Sequence, residues 1–359
     1  MKQEDLDTGQ IIVTGACGWL GHGLVNALCN NYLKQGPSNQ KNISIRCLIA
    51  PGQDPSRLKK FSSQIEIISG DIRDQQACAR LFENSENAIL FHTAGIIHPK
   101  KISEFYEVNV EGTKNLLHAA STSRIQRAVV VSSNSPLGVN PHPDHLFDEV
   151  SAYNPYMNYG RSKMLMENEI KSFQETGKIE TVIIRAPWFY GPFQPPRQTL
   201  FFKMIRDGKV PIVGDGENKR SMVYIENLCH GLILAAGKKE ANGEIYWIAD
   251  KRPYSMNEII DTIENVLETN FNVVCAHKRM RILGTASEIA YFFDKMIQGL
   301  GFYHQKIHVL SEMNKTIACS IKKAETDLGY FPKIDLKQGM ILSMEWLFNI
   351  PELAAQLRE

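Results

Sequence analysis

Short β-branched runs alternate with amphipathic stretches through the first half of this chain. Ile11–Thr14, Ile43–Ile49, Ile65–Ser69, Ala88–His92, Ala128–Ser132 and Thr181–Arg185 read as buried strands. Between them the apolar positions recur with a helical period. Leu20, Leu24 and Leu28 share one face after the first run. Phe105, Asn109, Gly112 and Leu116 form a stripe on a helix over Glu104–Ala120. Tyr159, Lys163, Met166, Ile170 and Phe173 form another over Met157–Glu175, with Gly177 as its stop. A further helix starts near Arg73. This alternation predicts βαβ units and a parallel sheet, whose ligands bind at the carboxyl ends of the strands.

After Arg185 the pattern changes. The Pro- and aromatic-rich segment Phe189–Arg197 reads as the exit into a second lobe. That lobe carries helices over Leu200–Asp207, Asn227–Ala236 and Met256–Leu267, the last behind a Ser255 cap. Further helices fall at Ser287–Leu300, at Lys322–Leu328 (stopped by Gly329 and Pro332) and at Leu336–Phe348. Met222–Ile225 and Ile245–Ile248 read as short strands. The expected division is residues 1–187 for the first domain and 188–359 for the second lobe, with segments near 222–249 returning to the first core.

Several residues depart from the pattern they sit in. Gly15, Gly18 and Gly21 follow the first strand at the turn into its helix. Glycine there allows a tight turn and lets a phosphate reach the N–H groups of the helix terminus, which a Cβ would obstruct. Asn109 is an amide on an apolar stripe, and buried amides need partners. Lys163 lies one turn from Tyr159 on a face that should point inward, where an uncompensated ammonium is costly. Ser133 closes a strand at the end where ligands bind. Asp71 ends another, either facing that rim or capping the helix near Arg73. At the end of the second strand stands Ala50, neither the acid that bonds a ribose 2′-hydroxyl nor the arginine that receives a 2′-phosphate. Arg57 in the next loop is within reach of such a phosphate, so NAD and NADP both stay open. His92 and His98 flank the Thr93-Ala94-Gly95 turn without metal-ligand spacing around either. Ile289, Phe292, Phe293, Met296, Ile297 and Leu300 make one helix unusually apolar; it reads as core or dimer interface, with a hydrophobic substrate wall or a membrane-surface helix as alternatives.

Composition narrows the class only a little. With 359 residues, 43% hydrophobic and 22% charged, the chain is ordinary for a globular enzyme. A net charge of +1 provides no field for nucleic acid. No leader-like apolar segment and no run long enough to span a membrane stand out. Seven scattered cysteines without a CxxC pair suit a reducing, cytoplasmic setting better than disulfides or zinc.

Taken in order, these features resemble the extended short-chain dehydrogenase/reductase superfamily, in its NAD-dependent epimerase/dehydratase and 3β-hydroxysteroid dehydrogenase-like branch. The matching features are Thr14-Gly15-x-x-Gly18-x-x-Gly21, Gly70-Asp71, Ala94-Gly95, Val108–Thr113, Ser132-Ser133, Tyr159-x-x-x-Lys163, Arg185-x-Pro187 with Tyr190-Gly191, and Val223–Asn227, with Lys323-Ala324, Leu328–Tyr330 and Pro332 near the end. The resemblance implies a Rossmann-type doubly wound, mostly parallel seven-stranded sheet with a smaller C-terminal α/β substrate lobe. It implies Ser133, Tyr159, Lys163 and Asn109 as catalytic residues. Tyr159 is then the general acid/base, Ser133 orients the substrate oxygen, and Lys163 lowers the tyrosine pKa and holds the nicotinamide ribose. NAD or NADP is expected on Gly15, Cys17, Gly18, Trp19, Leu20, Gly21, Asp71, Ile72, Thr93, Ala94, Gly95, Asn109, Tyr159, Lys163 and Pro187. Trp188 and Arg220 are expected to meet the substrate. Homodimerisation through Glu104–Ala120 and Met157–Glu175 is a further implication.

The expected reaction is hydride transfer between nicotinamide and a substrate hydroxyl or carbonyl. The alternative is a nucleotide-sugar epimerase, favoured by Arg220 and Pro192–Arg197. A 4,6-dehydratase fits less well, because Asn134-Ser135 stand where that branch carries an acidic pair. A non-catalytic dinucleotide sensor is the third possibility, and the intact Ser133, Tyr159 and Lys163 count against it.

Overall fold

The computed structural model describes residue 6 and residues 8–32, 43–61 and 63–358. The strands are β1 (Gln10–Thr14), β2 (Ser44–Ile49), β3 (Ile65–Ser69), β4 (Ile89–His92), β5 (Arg127–Ser133), β6 (Glu180–Ala186), β7 (Trp188–Tyr190), β8 (Pro211–Val213), β9 (Lys219–Arg220), β10 (Met222–Tyr224), β11 (Ile245–Trp247), β12 (Tyr254–Ser255) and β13 (Met280–Ile282). The helices are α1 (Trp19–Ala27), α2 (Gln75–Leu81), α3 (Ser103–Tyr106), α4 (Thr113–Thr122), α5 (Met157–Glu175), α6 (Pro196–Arg206), α7 (Ile225–Gly237), α8 (Met256–Phe271), α9 (Thr285–Gly299), α10 (Gln305–Glu312), α11 (Lys322–Leu328), α12 (Leu336–Phe348) and α13 (Pro351–Arg358).

Seven strands form one parallel sheet in the order β11-β6-β5-β4-β1-β2-β3. Both faces are covered, so alternate residues of one strand enter different cores. Ile11 and Val13 of β1 join a core with α1 and α7, while Ile12 points into the core on the opposite face. Ile89 and Phe91 of β4 join the first core, and Leu90 the second. The chain runs outward from β1 to β3, then crosses back to place β4 on the other side of β1. The carboxyl ends of β1 and β4 therefore flank the point where strand order reverses, which is where a crevice opens in such sheets.

The remaining strands pair in twos: β10 with β7, β12 with β9 and β13 with β8. Phe202, Ile259, Ile263, Met340 and Met344 centre a separate core built by α6, α8 and α12. The chain also returns to the first core. Leu228 and Leu232 of α7, Trp247 of β11 and Leu328 of α11 are buried with β1.

Most element boundaries follow the hydrophobic pattern to within a residue or two. Three do not. The helix expected near Arg73 begins at Gln75, because Asp74 is its cap and accepts from Gln76 N at 2.9 Å. The helix expected at Leu200 begins at Pro196, where the fixed φ of proline suits a first turn. The helix expected over Glu104–Ala120 is interrupted by a wider π turn over Glu107–Gly112, with Asn109 inside it. No helix among the described residues is long and apolar enough to cross a membrane.

Candidate active site

The glycine-rich turn packs against the end of β4. Gly15 has φ +76°, and a Cβ on it would lie 2.7 Å from Ala94 N. A Cβ on Gly21 would lie 2.1 Å from Gly15 O. These two glycines let backbone meet backbone. Gly18 is different: it is exposed, and its added Cβ would meet only Gly15 O, at 3.1 Å. It precedes α1, whose first turn has no acidic residue and no side-chain cap. The uncapped first turn and the positive end of the helix dipole are an arrangement that suits a phosphate group. Leu20 is buried beneath it, and Trp19 donates its indole N–H to Pro192 O at 2.7 Å. Cys17 beside them is held above the usual thiol range by partial burial and by the nearby charge of Asp54.

Asp54 is a carboxylate that the reading of Ala50 overlooked. It lies five residues beyond the end of β2 and folds back toward the glycine turn, accepting from the Ser56 N–H and hydroxyl. Arg57 is exposed and donates to Phe193 O at 3.4 Å. His22, buried in α1, has neither ring nitrogen hydrogen-bonded. Burial, then the charges of Lys60 and Arg57, push its pKa down to about 4. Asp71 does not cap a helix. Its carboxylate turns onto Arg73, with a 2.7 Å contact that holds its pKa down. Ile72 is buried against Gly112, where a Cβ would come within 2.7 Å of it.

The turn after β4 is held by polar bonds from three elements. Thr93 Oγ1 donates to Thr14 O at 2.7 Å. Asn109 accepts from Ile96 N at 2.9 Å and donates to Ile96 O at 3.2 Å and Ser162 Oγ at 3.1 Å. The amide thus ties the Gly95-Ile96 loop to α5. His92 bridges Thr14 Oγ1 at 2.6 Å and Thr113 Oγ1 at 2.9 Å. Burial, then the charge of Lys163, drives its pKa down to about 3, so it is a neutral strut.

Tyr159, Ser133 and Lys163 meet at the carboxyl end of β5. Tyr159 is half-buried, with the Ser133 hydroxyl beside its phenol. Ser133 Oγ also accepts from Ser135 N at 3.2 Å. Lys163 is buried, and its Nζ donates to Val131 O at 3.0 Å. A Cβ on Gly95 would be 3.5 Å from that Nζ and 3.3 Å from Asn109 Oδ1. The ammonium thus points across α5 at the loop after β4. Burial dominates at Tyr159 and lifts its pKa to about 12, opposed by the Ser133 hydroxyl and assisted by Glu312. Burial also lowers Lys163, to about 8, against the attraction of Glu167.

Glu167 follows Lys163 by one turn and anchors the helix. It is fully buried and pairs with buried Arg185 at 2.8 Å. Ser132 Oγ donates to it at 2.6 Å and Tyr153 OH at 2.7 Å. Pro187, one step past β6, is buried at the root of the second lobe. Trp188 turns its ring onto Phe201, with centroids 5.6 Å apart. Arg220 lies near the opposite wall and donates to Glu312 O. Burial lowers its pKa while Glu312 and Tyr156 oppose.

A second polar network closes over the start of α5, and the sequence pattern did not reveal it. Gln298 Oε1 accepts from Asn158 N at 3.2 Å and from Asn158 Nδ2 at 2.9 Å. Gln298 donates to Asp294 Oδ2 at 3.0 Å, which also contacts His308 Nδ1 at 2.7 Å. Tyr303 bonds His98 at 3.0 Å and meets Phe105 edge-on, and Phe105 lies 5.6 Å from the Tyr159 ring. The available signal was Asp294 and Gln298 at i, i+4, opposite the apolar stripe of the same helix. Neither of the two cavities seen here contains Ser133, Tyr159 or Lys163. One of 770 Å³ lies in the second lobe between Arg206, Phe271 and Leu357, and one of 230 Å³ lies beside Tyr156 and Tyr291.

This fold and site define an extended short-chain dehydrogenase/reductase, and the chain belongs to the NAD dependent epimerase/dehydratase family, whose profile matches residues 11–249. It is 48% identical over 342 residues to the uncharacterized protein y4nL of Sinorhizobium fredii, covering 95% of this chain and 96% of that protein. It is 29% identical over 368 residues to a 3 beta-hydroxysteroid dehydrogenase/Delta 5-->4-isomerase of Mycobacterium tuberculosis, covering 96% and 92% of the two chains. The structure of dTDP-glucose 4,6-dehydratase from Bacillus anthracis, solved in complex with NAD, superposes with a TM-score of 0.75 at 19% identity, covering 96% of this chain and 98% of that one.

Proposed function

We propose that the protein is an NAD(P)-dependent oxidoreductase that moves hydride between the nicotinamide and a substrate hydroxyl or carbonyl, with Ser133, Tyr159 and Lys163 as its working groups. The observation that carries this reading is the direction of Lys163. Its ammonium reaches the Gly95 loop that Asn109 braces, while the Tyr159 phenol and the Ser133 hydroxyl lie together beside it. The glycine cradle at Gly15 and Gly21 and the open first turn of α1 fit a dinucleotide pyrophosphate. Gly15, Cys17, Gly18, Trp19, Leu20 and Gly21 would hold it. Asp71 and Ile72 would lie toward the adenine, and Thr93, Ala94, Gly95, Asn109 and Pro187 along its middle and nicotinamide end. When bound, the nicotinamide supplies or accepts the hydride.

Each residue's part follows from its position. Ser133 donates to the reacting oxygen and orients it. A phenol held near 12 stays protonated at neutral pH, the form that donates a proton to a carbonyl oxygen receiving hydride. Lys163 supplies positive charge at the ribose side of the loop. Residues 1–187 with the returning 222–249 segment would bind the dinucleotide, and the rest of 188–359 would cover the substrate.

A nucleotide-sugar epimerase is the second reading, favoured by the half-buried Arg220 and by the names of several relatives, one of which is a putative UDP-glucose 4-epimerase of Methanocaldococcus jannaschii. Against it, the Arg220 guanidinium is already engaged by Glu312 O. Thermal-shift measurements with NAD, NADP, UDP- and GDP-sugars and steroid-like ketones separate the two. Stabilisation by a sugar nucleotide selects the epimerase, and stabilisation by an apolar ketone the reductase. Tyr159→Phe is expected to abolish turnover of the selected substrate while dinucleotide binding persists; undiminished turnover would refute the assignment.

We also infer a cytoplasmic homodimer. The setting is supported by seven free cysteines, six of them buried. Among the described residues α4 and α5 expose no large apolar side chain, so pairing through them would be polar. Light scattering at several concentrations tests the oligomeric state.

A further inference from the structure

α9 is built inside out. Its buried face is Ser287, Ala290, Asp294 and Gln298, three of the four polar. Its exposed face is Ile289, Phe292, Phe293, Met296 and Leu300, between 51% and 74% exposed, and Phe302 just beyond is 60% exposed. At about 100° per residue these five helix positions fall within roughly 100° of arc, a single stripe. Together with Phe302 they leave on the order of 700 Å² of apolar surface in water, above the ~300–600 Å² of the largest patch on a typical monomer. The inward polar face is bonded to Asn158, His308 and the backbone of α10, with only Asp294 Oδ1 left without a partner. Rotating the helix would strip those bonds, so the apolar stripe cannot turn in and its cover must come from outside.

The surrounding charge indicates what that cover is. Lys295 lies on the flank of the same helix, about 60° from Phe292. Lys101 forms a backbone bridge to Phe302, with Lys100 beside it, and Lys306 is on the adjoining α10. All four lysines are exposed, and none has an ion-pair partner among the described residues. Of the nearby acids, Glu288 is paired with Lys315, Asp294 is buried under the helix, and Glu104 accepts from the N–H groups of Lys100 and Lys101. An apolar stripe with a free lysine rim suits acyl chains below anionic headgroups. We propose that the α9 face docks this protein on an anionic lipid bilayer, lying in its surface without crossing it. Docked so, the protein holds the start of α5, where Gln298 of α9 bonds Asn158 next to Tyr159, near the lipid surface. That Tyr159 is a working group rests on the hydride-transfer reading, whereas the docking does not.

Flotation of the full chain with phosphatidylcholine vesicles, with and without 30% phosphatidylglycerol, tests the proposal. The wild type is expected to float with the anionic vesicles and much less with the neutral ones. Phe292→Glu/Phe293→Glu is expected to cut the bound fraction at least tenfold, and Lys295→Glu/Lys306→Glu to weaken binding and remove its salt dependence. Thermal stabilisation by NAD, measured on each variant, establishes that it is folded and reads the cofactor site separately. Two results would overturn docking: a wild type that stays in solution with both vesicles, or a Phe292→Glu/Phe293→Glu variant that floats equally well. A lipid-free dimer that this variant splits into monomers would also overturn it, by making a second copy the cover.

Discussion

At the scale of single residues, the three glycines of the first turn divide into two roles. Gly15 and Gly21 are required by the fold, since their hydrogens face backbone at distances no Cβ tolerates. Gly18 is required by what approaches from outside. Gly15→Ala also forces a methyl group onto a residue at φ +76°, and is expected to cost about 1–3 kcal/mol in urea unfolding. Gly18→Ala is expected to unfold near the wild-type midpoint yet lose most thermal stabilisation by NAD. Equal effects on stability would refute the division. Asn109 was legible as an amide on an apolar stripe; that it grips Ile96 through both N–H and carbonyl was not, because that partner lies in a loop with no pattern of its own.

At the scale of elements, α5 carries both Tyr159 and Lys163, and the Glu167–Arg185 pair fixes the helix to β6. Removing one partner of a buried pair strands the other charge, which is costlier than the pair's net contribution. Glu167→Gln is therefore expected to lower stability by about 3–5 kcal/mol in urea unfolding. A loss under 1 kcal/mol would mean that Arg185 finds another partner or water. The i, i+4 spacing of Tyr159 and Lys163 made the helix face legible. The length and aim of the lysine were set by Val131 O and the Gly95 loop, which arrive from other parts of the chain. The apolar periodicity of α9 was equally legible, but periodicity gives a face and not which way it points.

At the scale of the whole molecule, the α9–α10 hairpin closes on the start of α5 through Asn158, Gln298, Asp294 and His308. Burial lowers the pKa of His308, but its bond to Asp294 and the charges of Glu312 and Asp294 outweigh that and raise it. A histidine raised on folding contributes stability that is fully present below its unfolded value of about 6.5 and is lost as pH rises through the folded one. Thermal unfolding of the wild type should therefore show a falling advantage over His308→Asn from about pH 6.5 upward. An advantage that grows with pH would place the neutral form in the network instead. NAD at a hundred times its Kd is expected to add about 2.7 kcal/mol to stability, if only the folded chain binds it.

The sequence by itself determined the order of the strands and helices of the parallel sheet, the glycine turn, the cap at Ser255, the stop at Gly329 and the positions of Ser133, Tyr159 and Lys163. These are written in local periodicity, backbone freedom and short spacings, which need no distant neighbour to be read. The tertiary structure alone decided that Lys163 aims at the Gly95 loop. It decided that His92 is a neutral strut, that Asp74 and not Asp71 caps α2, and that α9 turns its polar face inward. Each of these depends on which groups arrive from elements far away in the chain. Hydrogen-bond partners, desolvation and the inward direction of a helix are properties of that assembly.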